Sequence, residues 1–154
     1  MISLKNRKVK LDEFTFFGFS VETSNQAEMS GEGVIPGLWE KFYSGGAPSH
    51  SPTIALYTNY ESDENGTYTF AIGHKLSEDS NVPKGMKEFT VPNSNYVVFT
   101  TKKGPVQEVV VEAWQEIWEW SKENERAFTA DFEVYDERAQ DPNNSQVDIY
   151  IAVK

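Results

Sequence analysis

Glu133 is the acidic residue whose setting points most clearly to a binding or catalytic role. It lies in a predicted strand, where side chains alternate between two faces, so it shares a face with Tyr135. Phe132 and Val134 lie on the opposite face, and if that face packs on a helix, Glu133 points into a groove. A carboxylate buried among aromatic rings is costly unless it is paired, so a cationic ligand would stabilise it. The alternative is a solvated acid on an acidic surface.

Aromatic side chains could form the walls of such a groove. The chain contains four Trp, seven Tyr and ten Phe, which together make up 14% of its residues. The faces of Trp and Tyr rings attract cations, with about 0.5–2 kcal/mol per contact. We expect Glu133 to bind ligand together with Trp39, Trp118, Tyr57, Tyr68, Tyr135 and Tyr150. Each ring could equally belong to an ordinary core, and so could Trp114, four residues before Trp118.

Other chemistries find little support in the sequence. His50 and His74 are the only histidines and lack metal-ligand spacing, and the absence of cysteine excludes a thiolate nucleophile and a Cys-type zinc site. No segment resembles a nucleophile elbow. Gly31-Glu32-Gly33 lacks the rest of a dinucleotide fingerprint. We therefore expect no metal, no cofactor and no assigned catalytic residue.

Composition restricts the class of protein further. With 154 residues, the chain has the length of one domain, 1–154, and no apolar run approaches the roughly 18 residues of a membrane span. Twenty-four acidic against fourteen basic residues give a net charge of −10, which opposes nucleic-acid binding and favours a cationic partner. A cytoplasmic protein that neither binds DNA directly nor enters a membrane fits these properties.

The apolar pattern predicts an α+β fold. Apolar residues recur at the helical period from Pro105 to about Asn124, and a shorter helix is predicted at 35–43. Strands are predicted at 11–22, 53–60, 67–76, 86–91, 95–101, 128–135 and 147–153. The order of these elements is typical of a βαββ unit that occurs twice, at 8–78 and 85–154. Two such modules, related by a pseudo-twofold axis, would form antiparallel sheet with two helices and a central ligand groove.

The two halves also align by residue type. Trp39 and Trp114 are 75 positions apart, and the same shift places Thr58 at the position of Glu133. Clefts between paired modules are common ligand sites. An ionisable group present in one copy alone is therefore a better candidate for a site than for shared architecture.

Three segments of the chain carry a family resemblance: IPGLWEKF at 35–42, EAWQEIW at 112–118 and DFEVYDER at 131–138. They resemble the GyrI-like small-molecule-binding family, the stand-alone relatives of the effector-binding domains of AraC-type and MerR-type regulators. The resemblance implies two βαββ modules and a groove for drugs and other hydrophobic, often cationic, compounds. It also implies a buried glutamate flanked by aromatic rings on a late strand, and Glu133 stands at that position.

The resemblance leaves several roles open. Regulators of this kind carry a helix-turn-helix domain, whereas here the binding module takes up all the residues, so we expect effector sensing through a separate regulator protein, or sequestration. A hydrolase branch implies an alternative in which Glu133, assisted by Tyr135 or Tyr150, activates water or protonates a leaving group. A third possibility is an acidic module that binds a basic protein partner.

Overall fold

The computed structural model describes residues 5–29, 33–44, 53–61, 66–75, 85–124, 126–139, 141 and 143–153. The strands are β1 Lys5–Leu11, β2 Phe14–Ser24, β3 Thr53–Thr58, β4 Thr67–Lys75, β5 Lys87–Val91, β6 Ser94–Thr100, β7 Ala130–Tyr135 and β8 Asp148–Val153. The helices are α1 Asn25–Met29, α2 Ile35–Ser44 and α3 Val106–Ser121. The predicted α+β class is confirmed. In the described part of the chain, no helix is long and apolar enough to cross a membrane.

The strand order is symmetric about its centre. Within the described ranges, eight strands form one sheet in the order β1-β6-β8-β7-β3-β4-β2-β5, and every neighbouring pair is antiparallel. One half of this order contains β6, β7 and β8, and α3 connects β6 to β7 in the chain. The other half contains β2, β3 and β4, and α2 lies between β2 and β3 in the chain. The predicted pair of βαββ modules is thus present, and it meets at the β7–β3 pair. The repeat bounds 8–78 and 85–154 stay a prediction.

The outermost strands are exchanged between the two modules, which the sequence did not indicate. β1 precedes β2 in the chain but pairs with β6, and β5 precedes β6 but pairs with β2. Only residues 12–13 and 92–93 make these two short connections, so the linked strand ends lie within about 11 Å of each other. The two ends of the strand order therefore come together, and the sheet curls.

Two glycines allow β2 and β4 to approach each other closely. Gly18 of β2 and Gly73 of β4 are paired directly opposite each other. A Cβ atom at either position would collide with the backbone of the neighbouring strand. Glycine is required here because only a residue without a side chain permits such a close approach of two strands.

The two faces of the sheet have different partners. One face encloses a cluster of strand residues that includes Leu56, Tyr96 and Phe132, with Val134 packed against it. The other face is covered by α3, through residues such as Ile117, and by α2. We call these the inner face and the helix face. The condition that Phe132 and Val134 pack on a helix is not met, because they belong to the inner face, and Glu133 lies on the helix face instead.

Strand register also corrects the alignment of the two halves. A shift of 75 positions is wrong for β3 and β7. In both strands the odd-numbered residues lie on the helix face, so an odd shift matches residues of one face with residues of the other. Thr58 pairs with Ala130, and Ala55 lies directly opposite Glu133. The true correspondence starts from the two short connections, where residues 12–13 match residues 92–93. From there the pairings of β2 with β4 and of β4 with β3 match those of β6 with β8 and of β8 with β7. This makes Ala55 the counterpart of Glu133. Glu133 still lacks an ionisable counterpart, as expected.

Candidate functional site

Glu133 is buried at the junction of the two modules, on the helix face. Its exposed fraction is 2%. The Tyr57 hydroxyl donates a hydrogen bond of 2.8 Å to Oε2, and the Trp114 indole Nε1 donates one of 2.6 Å to the same oxygen. The Tyr135 hydroxyl donates one of 2.6 Å to Oε1. Both carboxylate oxygens are thus bonded to uncharged donors.

Three elements converge to place these donors. Tyr57 belongs to β3, which pairs with β7, and Tyr135 lies two residues after Glu133 on the same face of β7. Trp114 lies on the stripe of α3 that packs on the sheet. The rings of Tyr57 and Trp114 touch edge to face, with centroids 5.2 Å apart. The glutamate is therefore held by both modules and by the helix of the second one.

Burial changes the acid–base properties of this cluster. Removal from water raises the pKa of Glu133 above its ordinary value, against the opposing effect of the hydrogen bonds from Tyr135, Trp114 and Tyr57. Burial and the nearby Glu133 carboxylate also raise the pKa of Tyr57, which therefore remains a neutral donor. Among the described residues, no lysine or arginine forms an ion pair with Glu133.

A cavity of about 350 Å³ lies beside this cluster, between α3 on one side and α1 with the start of α2 on the other. Its aromatic walls come from Tyr57, Tyr60, Tyr68, Trp114 and Trp118. Tyr57 and Trp114 thus line the cavity and also hold Glu133. The glutamate itself is not part of the lining and lies behind these two rings. The volume of the cavity is at the lower end of the usual range of about 300–1,000 Å³ for small-molecule sites.

Glu28 of α1 lies at the rim of the cavity but already has partners. The backbone N–H groups of Val34 and Ile35 donate to its carboxylate at 2.9 and 3.2 Å. The Thr23 hydroxyl donates a third hydrogen bond. Because the N-terminus of a helix carries partial positive charge, the start of α2 compensates the charge of Glu28.

A second buried acid, Asp131, lies two residues before Glu133. Arg126 pairs with it, with 2.7 Å between Nη2 and Oδ2, and their side chains are 3% and 0% exposed. The Tyr60 hydroxyl and the backbone N–H of Ala152 also donate hydrogen bonds to Asp131. The guanidinium carbon of Arg126 lies 4.4 Å from the centroid of the Phe128 ring. Asp131 thus has a positive partner, whereas the described part of the chain supplies none to Glu133.

The structure brings most of the predicted aromatic residues to this region. Tyr57, Tyr68 and Trp118 line the cavity. Tyr135 donates a hydrogen bond to Glu133, and the ring of Trp39 packs against Tyr135 with centroids 5.1 Å apart.

Tyr150 is not among them. It pairs with Phe132 in the β7–β8 ladder and therefore lies on the inner face, where the two rings stack with centroids 4.6 Å apart. The prediction of Tyr150 as a ligand-binding residue is thus at odds with its position. Its face could not be assigned without the sheet register.

Other residues of the region were not predicted. Trp114 had a usable signal, because it lies one helical turn before Trp118. Asp131 also had one, because it shares a strand face with Glu133. Arg126 lies between α3 and β7, outside any periodic element, so no pattern pointed to it.

The described residues offer no evident metal site. No group of three or more His, Asp or Glu side chains among them is arranged to hold a metal ion. His74 is buried in β4, and His50 lies outside the described residues.

The chain is similar to known effector-binding proteins along most of its length. The family model described as "Cass2: Integron-associated effector binding protein" matches residues 8–153. A curated relative, YobU of Bacillus subtilis (strain 168), is 42% identical over an alignment of 151 residues, and the match covers 94% of this chain and 94% of that one. Its name describes it as a candidate transcriptional regulator.

Solved structures share the fold. The integron cassette protein VCH_CASS2 from the mobile metagenome of Vibrio cholerae matches with a TM-score of 0.79 and 33% identity, over 97% of this chain and 95% of that one. The structure of SAV2435 bound to tetraphenylphosphonium matches with a TM-score of 0.77 and 18% identity, over 97% of this chain and 94% of that one. The resemblance to the GyrI-like proteins is confirmed, and the chain belongs to the Cass2 family of effector-binding proteins.

Proposed function

We propose that this protein binds a small hydrophobic cation in the cavity beside Glu133. The observation that supports this most strongly is a carboxylate that is 2% exposed and whose hydrogen-bond donors, among the residues that the structure describes, are all uncharged. An unpaired charge in the interior is costly, so a bound positive charge would stabilise it. The cation would lie over the rings of Tyr57 and Trp114, with Glu133 behind them.

The rings and the carboxylate would act on the ligand together. A cation over a desolvated aromatic face gains about 2 kcal/mol. Tyr57 and Trp114 donate to Glu133, and the negative charge behind each ring adds to the attraction because the interior screens it less than water does. Tyr68 and Trp118 extend the aromatic wall for the apolar part of the ligand.

The comparisons support the same class of ligand. Tetraphenylphosphonium, to which SAV2435 was bound, is a lipophilic cation, and that protein shares the fold of this chain. The name of YobU agrees with a role in sensing an effector. We therefore propose effector sensing or sequestration as the role, in the cytoplasm. A separate regulator protein as partner stays a prediction.

Tetraphenylphosphonium also provides the test. Titration of the protein should quench tryptophan fluorescence saturably, because Trp114 and Trp118 line the cavity. Glu133→Gln should weaken binding by about tenfold or more, since it removes the charge and keeps the shape. Glu119→Gln is the matched control, because this acid on α3 is 69% exposed and its replacement changes the net charge equally.

Two results would contradict the proposal. One is the absence of saturable quenching by any lipophilic cation. The other is equal affinity in wild type, Glu133→Gln and Glu119→Gln, which would show that only overall charge attracts the ligand.

The geometry favours binding over the hydrolase alternative. A general acid or base must lie within hydrogen-bond reach of the substrate or of one water. Both oxygens of Glu133 instead accept hydrogen bonds from ring groups, and Tyr57 and Trp114 stand between the carboxylate and the cavity. An acidic module for a basic protein partner stays a prediction.

A further inference from the structure

Two buried carboxylates lie close together beside the cavity, and among the described residues only Asp131 has a cationic partner. Asp131 and Glu133 are two residues apart on the same face of β7, which corresponds to about 6.6 Å along a strand. Asp131 is paired with Arg126. Of these two buried negative charges, the protein itself thus neutralises the one on Asp131.

Arg126 is placed where it can influence a ligand directly. It lines the cavity although it is only 5% exposed. Its guanidinium carbon lies 6.0 Å from the centroid of the Trp114 ring, which also donates to Glu133. The chain thus already holds one positive charge at the wall that the ligand would use.

The pair between Arg126 and Asp131 is not arranged for the greatest stability. Arginine–carboxylate pairs frequently form two parallel hydrogen bonds, whereas here Nη2 alone bonds to Oδ2. The buried Nε of Arg126 has no hydrogen-bond partner in the described part of the structure. An unpartnered buried donor costs free energy, so the pairing with Asp131 compensates the burial of this arginine only in part.

We propose that Arg126 determines the charge selectivity of the cavity, which accepts monocations and rejects dications of the same shape. This inference rests on the proposed function. Arg126 compensates Asp131, and the start of α2 compensates Glu28, which leaves the charge of Glu133 for the ligand. A second positive charge on the ligand would lie near Arg126 with no carboxylate of its own.

The proposed preference for monocations is opposite to the preference that the net charge of the protein would give. The net charge of −10 attracts a dication more strongly than a monocation from a distance. A preference for the monocation must therefore come from the cavity itself and not from general attraction.

A pair of matched probes tests the proposal. The cations 1-methyl-4-phenylpyridinium and 1,1′-dimethyl-4,4′-bipyridinium each have two linked aromatic rings and differ by one charge. In calorimetric titration, the wild-type protein should bind the monocation about tenfold or more tightly than the dication. Equal or tighter binding of the dication by the wild type would overturn the proposal without the use of any variant.

Variants locate the effect. Arg126→Met leaves Asp131 without its cation, and the preference should shift by about tenfold toward the dication. Arg126→Met/Asp131→Asn again has one uncompensated carboxylate and should return the preference to the wild-type value. An unchanged preference in Arg126→Met overturns this inference but leaves the proposed function intact.

Failure of the proposed function would be recognised differently. In that case the wild type binds neither probe nor tetraphenylphosphonium, or binds them without dependence on Glu133. Circular dichroism checks that each variant is folded. Should Arg126→Met fail to fold, equal or tighter binding of the dication by the wild type still overturns the proposal.

Discussion

Asp131 and Glu133 show how one strand face can bury two acids for different purposes. Both are almost completely inaccessible, and each accepts a hydrogen bond from at least one tyrosine. Asp131 also has a cationic partner in Arg126 and a backbone donor in Ala152. Glu133 has three side-chain donors and no positive partner among the described residues.

The difference separates a structural acid from a binding acid. The charge of Asp131 is balanced within the fold, and it ties the segment before β7 to β8. Glu133 accepts hydrogen bonds from uncharged groups, and two of these, Tyr57 and Trp114, also form a wall of the cavity. A buried acid with hydrogen bonds but no counter-charge is a stronger indication of a cationic ligand than burial or aromatic neighbours alone.

The largest expected effect concerns the stability of the Asp131 pair. Arg126→Met should lower the free energy of unfolding by about 3–5 kcal/mol, because it leaves a buried charge without its partner. Arg126→Met/Asp131→Asn should lose less despite carrying two changes, since no unpaired charge remains. Urea denaturation measures both. A double variant no more stable than the single one would show that Asp131 carries no charge that needs compensation.

A smaller effect should separate the helix face from the inner face. Tyr135→Phe removes a donor from Glu133 and should cost about 1–3 kcal/mol of stability, together with weaker binding of tetraphenylphosphonium. Tyr150→Phe makes the same chemical change on the inner face, where the ring stacks on Phe132, and should leave binding unchanged. Comparable losses of affinity in the two variants would mean that the cavity is not the binding site.

The smallest effect is a dependence of stability on pH. Burial raises the pKa of Glu133 in the folded protein above its value in the unfolded chain, so the folded state holds the proton more tightly. Its contribution to stability is therefore present below the unfolded pKa and is lost as pH rises through the folded pKa, with a slope of at most about 1.4 kcal/mol per pH unit.

The Glu133→Gln variant isolates this contribution. It lacks the ionisable group, so the difference in unfolding free energy between wild type and variant should change with pH only in that window. Cation affinity should change in the opposite sense and increase with pH, because the ligand prefers the ionised carboxylate. A difference that stays constant from pH 4 upward would mean that Glu133 does not titrate there.

The parts that could be predicted are those that depend on local periodicity. The apolar stripe of α3 and the alternation around Glu133 are visible in the sequence, and both are confirmed by the structure. Long-range pairing has no such local signal. The exchange of β1 and β5 between the modules, the face of Tyr150 and the odd shift between the halves all depend on strand register.

Arg126 could not be predicted for a related reason. It lies in an irregular segment, and Phe128 nearby adopts a positive φ of 53°, a conformation that only the folded context stabilises. Its pairing with Asp131 is a tertiary contact between a connection and a strand. Charge compensation, which distinguishes the two acids, thus becomes visible only in the structure.

A crystal structure of the complex with tetraphenylphosphonium tests the central claim most directly. The phosphonium should lie in the cavity, within about 6 Å of the ring centroids of Tyr57 or Trp114, with Glu133 behind them. A phosphonium bound instead to the acidic outer surface of α3, with the cavity empty, would contradict the account.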